Sequence, residues 1–104
     1  MYARHVSCQL KSITREELTQ MFDGEILPLL QKQSGFNDEI TFVDGDGRQV
    51  LAISLWDSKA SAEAYSRETY PQVLKTLGRV IEGAPQVRGY EVAFSTFHKT
   101  SPTV

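Results

Sequence analysis

Apolar positions along the 104-residue chain alternate and then recur at helical spacing, and the switches between the two patterns divide it into elements. In stretch 49–65, QVLAISLWDSKASAEAY, two sets alternate: Gln49, Leu51, Ile53 and Leu55 against Val50, Ala52, Ser54 and Trp56. Both sets are largely apolar, which predicts a central strand covered on both faces. Asp57 or Ser58 can then accept the free amides of a first helical turn, and Ala60, Ala64 and Tyr65 share one face of the helix that follows.

Upstream, residues 2–10 place Val6, Cys8 and Leu10 on one side and Ala3, His5, Ser7 and Gln9 on the other, as in a strand with one drier face. Thr14 with Glu17 matches a capping box, and Leu18, Met21, Phe22, Ile26, Leu29 and Leu30 keep helical spacing behind it. Pro28 predicts a kink or restart near 26–28, and Gly35 ends the helix. Residues 39–43 are β-prone, and Asp44-Gly45-Asp46-Gly47 should turn them into an antiparallel hairpin with the central strand. The aspartate pair lacks the further oxygen ligands and closing glutamate of an EF-hand loop, so it is read as a turn and not as a metal site.

Downstream, Thr69-Tyr70-Pro71-Gln72 reads as a second helix start, with Val73, Leu74, Leu77, Val80 and Ile81 as its apolar stripe. Gly83-Ala84-Pro85 is expected to stop that helix, residues 87–97 to form the last strand, and residues 100–104 to fray. The resulting order βαββαβ predicts an α+β, ferredoxin-like domain spanning 1–104, with a four-stranded antiparallel sheet and helices on one face. Helices shield one face only, while Leu51, Ile53 and Leu55 occupy the other with Ala3 and Ala93, so the pattern predicts a homodimer joined through that face.

Composition narrows the function classes. A net charge of −2 and a pI of about 5.6 supply no basic footprint for nucleic acid. The opening MYARHVSCQL has neither a signal-like apolar region nor a membrane span, which predicts a cytoplasmic protein without a membrane partner. Cys8 is the single cysteine, which excludes an internal disulfide and reads as a small buried hydrophobe. No nucleophilic triad, phosphate loop or metal cluster is present.

Two stretches, LPLLQKQSGF at 27–36 and ISLWDSKASAEAY at 53–65, resemble the antibiotic-biosynthesis-monooxygenase-like (ABM) family of dimeric α/β barrels. The resemblance spans the whole chain and implies two sheets packed face to face, each protomer holding a ligand cleft between its own sheet and helices. Leu51, Ile53 and Leu55 would then face the partner, and Val6, Cys8, Ala52, Ser54 and Trp56 the cleft. It further implies a cofactor-independent monooxygenase-like enzyme acting on a small aromatic or quinol-type compound, because a bound substrate anion can itself supply the electron to dioxygen. The alternative is a non-catalytic small-molecule-binding or accessory dimeric module.

The match to the family's active sites is incomplete. Trp56 stands where polyketide-oxidising members carry a tryptophan, but Ala52 replaces their amide side chain and Ala62 their tyrosine. The asparagine, tryptophan and histidine of the haem-degrading branch correspond to Val6, Tyr65 and Lys75, which argues against that reaction. Trp56 either closes the core or lines the cleft, and Tyr65 either packs or touches substrate. His5 falls on the barrel face and His98 near the tail, and neither is assigned as a base. The candidate substrate-binding set is Trp56, Tyr65, Ser54, Cys8 and Val6, with no catalytic residue, metal or cofactor assigned.

Overall fold

The computed structural model describes residues 1–46 and 48–97. Its elements run β1 (Tyr2–Leu10), α1 (Arg15–Met21), a π-helical segment (Phe22–Ile26), α2 (Leu27–Gln31), β2 (Phe36–Val43), β3 (Gln49–Trp56), α3 (Lys59–Glu68), α4 (Tyr70–Leu77) and β4 (Ile81–Glu91). The strands form one antiparallel sheet in the order β2-β3-β1-β4, which with the helices makes an α+β, ferredoxin-like fold. Among the described residues no helix is long and apolar enough to cross a membrane.

Local chemistry sets the helix starts. The Thr14 hydroxyl accepts from the Glu17 amide at 3.1 Å while the Glu17 carboxylate accepts from the Thr14 amide at 3.0 Å, closing the capping box. Pro28 sits in the first turn of α2, and the wider π turn before it absorbs the backbone bond that proline cannot make. At the start of α3 the cap is Ser58, whose Oγ accepts from the Ser61 amide at 3.2 Å. Asp57 instead accepts from the Asn37 side chain and binds the Gly35 carbonyl through its amide. In the hairpin, the Asp44 carboxylate accepts from the Arg48 amide.

The second half departs from the expected boundaries. Helix α4 ends at Leu77 on Gly78, and Ile81, expected on the helical stripe, opens β4. The final strand therefore occupies Ile81–Glu91 rather than 87–97, and Ala93 lies beyond it. Pro85 is tolerated because β4 is an edge strand and bulges there. Ser7 faces Gln86 whereas Gln9 faces Glu82, with Gly83 at φ +71° between them. Strand β2 also starts earlier than expected, at Phe36. His98 and the expected frayed end at 100–104 lie outside the described residues.

The core lies between the sheet and the helices, where Trp56, Leu18, Ile26, Leu30 and Val50 are its largest fully buried side chains. The other sheet face carries Leu51, Ile53, Ile40, Phe42 and Tyr90, with Phe42 48% and Tyr90 49% exposed. Leu55 shares their register but is 9% exposed, so it adds little to that surface within one protomer. Tyr90 opposite Ala3 takes the position expected for Ala93.

Candidate functional site

The antiparallel register lines up one row of polar side chains across three strands. Glu39 of β2 pairs with Ser54 of β3, and Ser54 pairs with Arg4 of β1. Adjacent strands lie about 4.8 Å apart, which brings a carboxyl, a hydroxyl and a guanidinium beneath the helices within about 10 Å. The next row, Thr41, Ala52 and Val6, has small and apolar members beside the threonine. Tyr65 of α3, Tyr70 of α4 and Phe22 of the π segment close over these rows.

Arg4 is held on three sides. Its Nε donates to Ser66 Oγ at 2.8 Å, and its guanidinium carbon stands 3.9 Å from the Tyr70 ring centre and 5.2 Å from that of Tyr65. It is 6% exposed. Glu39 Oε2 accepts from the Thr41 hydroxyl at 2.9 Å. Burial pushes the Glu39 carboxyl up to about 8, against the opposing pull of that hydrogen bond and of the Arg4 charge. Burial likewise raises both Tyr65 and Tyr70, with Arg4 again opposing, so both remain phenols at neutral pH.

Two cavities meet at this row. A cleft of about 320 Å³ runs between Leu18, Phe22 and Leu27 on the helix side and Glu39, Thr41 and Val43 on the sheet side. A chamber of about 30 Å³ lies deeper, lined among others by Arg4, Ser54, Tyr65 and Tyr70. Phe22 and Glu39 border both and form the threshold between them. The volume of the cleft is at the small end of the range for ligand pockets, and the chamber has room for about one water-sized group. A carboxyl that titrates near neutrality at the threshold, backed by a fixed cation, can take a proton from a weakly acidic hydroxyl and stabilise the anion left behind.

The residues singled out from sequence fall in two groups. Val6, Ser54 and Tyr65 line the chamber together. Trp56, at 0% exposed, lines neither cavity; its Nε1 donates to Ser54 Oγ at 2.8 Å and its ring packs 4.9 Å from Tyr65 and 5.5 Å from Phe36. It supports two lining residues from behind. Cys8 packs in the core away from both cavities, and burial raises its thiol pKa, keeping it a thiol. His5 lies on the opposite face, edge-on to Tyr90 at 5.9 Å.

Arg4, Glu39 and Tyr70 were not singled out. The available signal was parity, since Arg4 shares the side of Val6, Cys8 and Leu10, and a charge on the dry side of a strand needs a reason. Glu39 has the same relation to Thr41 and Val43.

No protein-family model and no curated protein matches this sequence. Solved structures match its fold. A monooxygenase of Streptomyces coelicolor, determined with the ligand nanaomycin D, superposes with a TM-score of 0.75 at 14% identity over 94% of this chain and 92% of that one. SnoaB, a cofactor-independent oxygenase of Streptomyces nogalater, matches with a TM-score of 0.69 at 11% identity over 91% of this chain and 96% of its own. A protein of unknown function from Nitrosomonas europaea gives 0.71 at 17% identity, covering 91% of both chains. The fold is that of the ABM-type structures.

Proposed function

We propose that this chain, with its ABM-type fold, is one protomer of a homodimeric, cofactor-independent oxygenase-like enzyme that acts on a small aromatic or quinol-type compound. The observation that carries the reading is the meeting of the 320 Å³ cleft with Glu39 at its inner threshold and Arg4 behind it. Glu39 takes the hydroxyl proton of the bound compound as general base. The resulting electron-rich anion transfers one electron to dioxygen, giving superoxide and an aryloxyl radical. These combine to a peroxide anion on a ring carbon, which takes the proton back from Glu39, and where that carbon bears hydrogen, loss of water leaves a carbonyl. Phe22, Leu18 and Leu27 supply the apolar walls that exclude water from the radical pair.

Pairing of two sheets through Ile40, Phe42, Leu51, Ile53 and Tyr90 completes the dimeric barrel and covers the apolar face. Oxygen uptake with hydroxynaphthalenes, hydroxyquinones and catechols in chelator-treated buffer tests the enzyme reading. At least one compound should give uptake that depends on Glu39, and a flat response across the panel would overturn it. Alanine at 52 and 62 and the narrow chamber favour one second reading, a module that binds such a compound without turning it over. Saturable binding with no oxygen uptake would establish that alternative.

A further inference from the structure

Among the described residues Arg4 is a buried cation with no carboxylate within ion-pair distance. Among the described residues the ion pair is the surface contact of Arg79 with Glu25, and the hydrogen bond of Arg4 runs through Nε to Ser66, leaving its terminal nitrogens for another acceptor. The Tyr70 hydroxyl is also buried without a hydrogen-bond partner, and it lines the same chamber. A charge removed from water and left unpaired is costly, and so is a buried hydroxyl with nothing to bond. The unpartnered hydroxyl and the cation belong to one stacked pair, with the guanidinium over the face of the Tyr70 ring. Glu39 does not neutralise Arg4, since its carboxyl lies beyond ion-pair distance.

We propose that the Arg4–Tyr70 corner is an oxyanion subsite, and that the ligand is a planar ring carrying one acidic hydroxyl that is held there as its anion, as in an enol or a hydroxyquinone. This rests on the reading of the cleft as a small-molecule site. The chamber's 30 Å³ admits a single oxygen but no ring, so the ring lies in the 320 Å³ cleft with its oxygen pointing past Phe22 and Glu39. The guanidinium donates to that oxygen from one side and the Tyr70 hydroxyl from another. A carboxylate, with two oxygens and a carbon to accommodate, fits this chamber less well.

The test is equilibrium dialysis under nitrogen at pH 7 with three probes: 2-hydroxy-1,4-naphthoquinone, its neutral 2-methoxy ether, and 1-naphthoate. The wild-type protein should bind the hydroxyquinone anion at least about tenfold more tightly than either of the others, the scale of one charge-assisted contact. Arg4→Met should abolish that preference without weakening the ether. Tyr70→Phe, a smaller change that leaves the ring stacking intact, should weaken the anion alone. Equal binding of anion and ether by the wild type, tighter binding of the naphthoate, or no binding of any probe overturns the subsite, whatever the variants do. Because no oxygen is present, failure of the oxygenase reading alone leaves the preference in place, while its loss alongside intact oxygen uptake would locate the error at Arg4.

Discussion

Glu39→Gln removes the titrating carboxyl that lines the cleft, and its effect on stability can be worked out in sign and size. The Glu39 carboxyl titrates near 8 in the folded protein against a reference of 4.5. Because the folded value is the higher, the stability it contributes is fully present below pH 4.5 and is lost as pH rises to about 8. Over that interval the folded state holds a proton that the unfolded chain has released. At 1.36 kcal/mol per unit, the difference amounts to roughly 3 to 5 kcal/mol across the window. Glutamine keeps an acceptor for the Thr41 hydroxyl and has nothing to titrate. Urea unfolding followed by Trp56 fluorescence from pH 5 to 9 should therefore show the variant gaining on the wild type as pH rises, with the gap levelling above pH 8. Taking the difference between the two proteins cancels the other titrating groups. Parallel stability curves would refute a carboxyl whose pKa is raised at the threshold, and with it the proposed base.

Gly35→Ala should destabilise the fold by about 1 to 3 kcal/mol in urea unfolding, since Gly35 sits at φ +85° and an added Cβ would lie 2.6 Å from Ser61 Cβ. Gly83→Ala, at φ +71° but with open space around it, should cost less. Ser54→Ala leaves the Trp56 N–H buried without its acceptor and should cost about 1 to 3 kcal/mol, with a shift in tryptophan emission as a second readout. Ile53→Asp places a charge amid the apolar sheet face, and on the proposed pairing sedimentation at micromolar concentration should show the variant as a monomer and the wild type as a dimer. A wild-type protein that sediments as a stable monomer would contradict the proposed pairing.

Elements whose signals are local were legible in sequence. The capping box at Thr14 and Glu17, the turn at Asp44 and the serine cap of α3 each rest on residues within a few positions of one another. The α4–β4 boundary was not, because Val80 and Ile81 satisfy the helical period as well as they begin a strand. Pro85 reads as a terminator until its strand is known to lie at the sheet edge, which depends on the pairing of the whole chain. The polar row has the same origin. Arg4, Ser54 and Glu39 are far apart in sequence and meet only through strand register, so Trp56 drew attention while the charges that face the cavity did not.

The most direct test of the central claim is the fate of dioxygen. Protein incubated under ¹⁸O₂ with each compound that supports uptake, in chelator-treated buffer, should yield product carrying one labelled oxygen by mass spectrometry, and Glu39→Gln should suppress that signal by about a hundredfold or more. Product labelled only from water, or no labelled product from any compound, would contradict the claim that this cleft performs oxygenation.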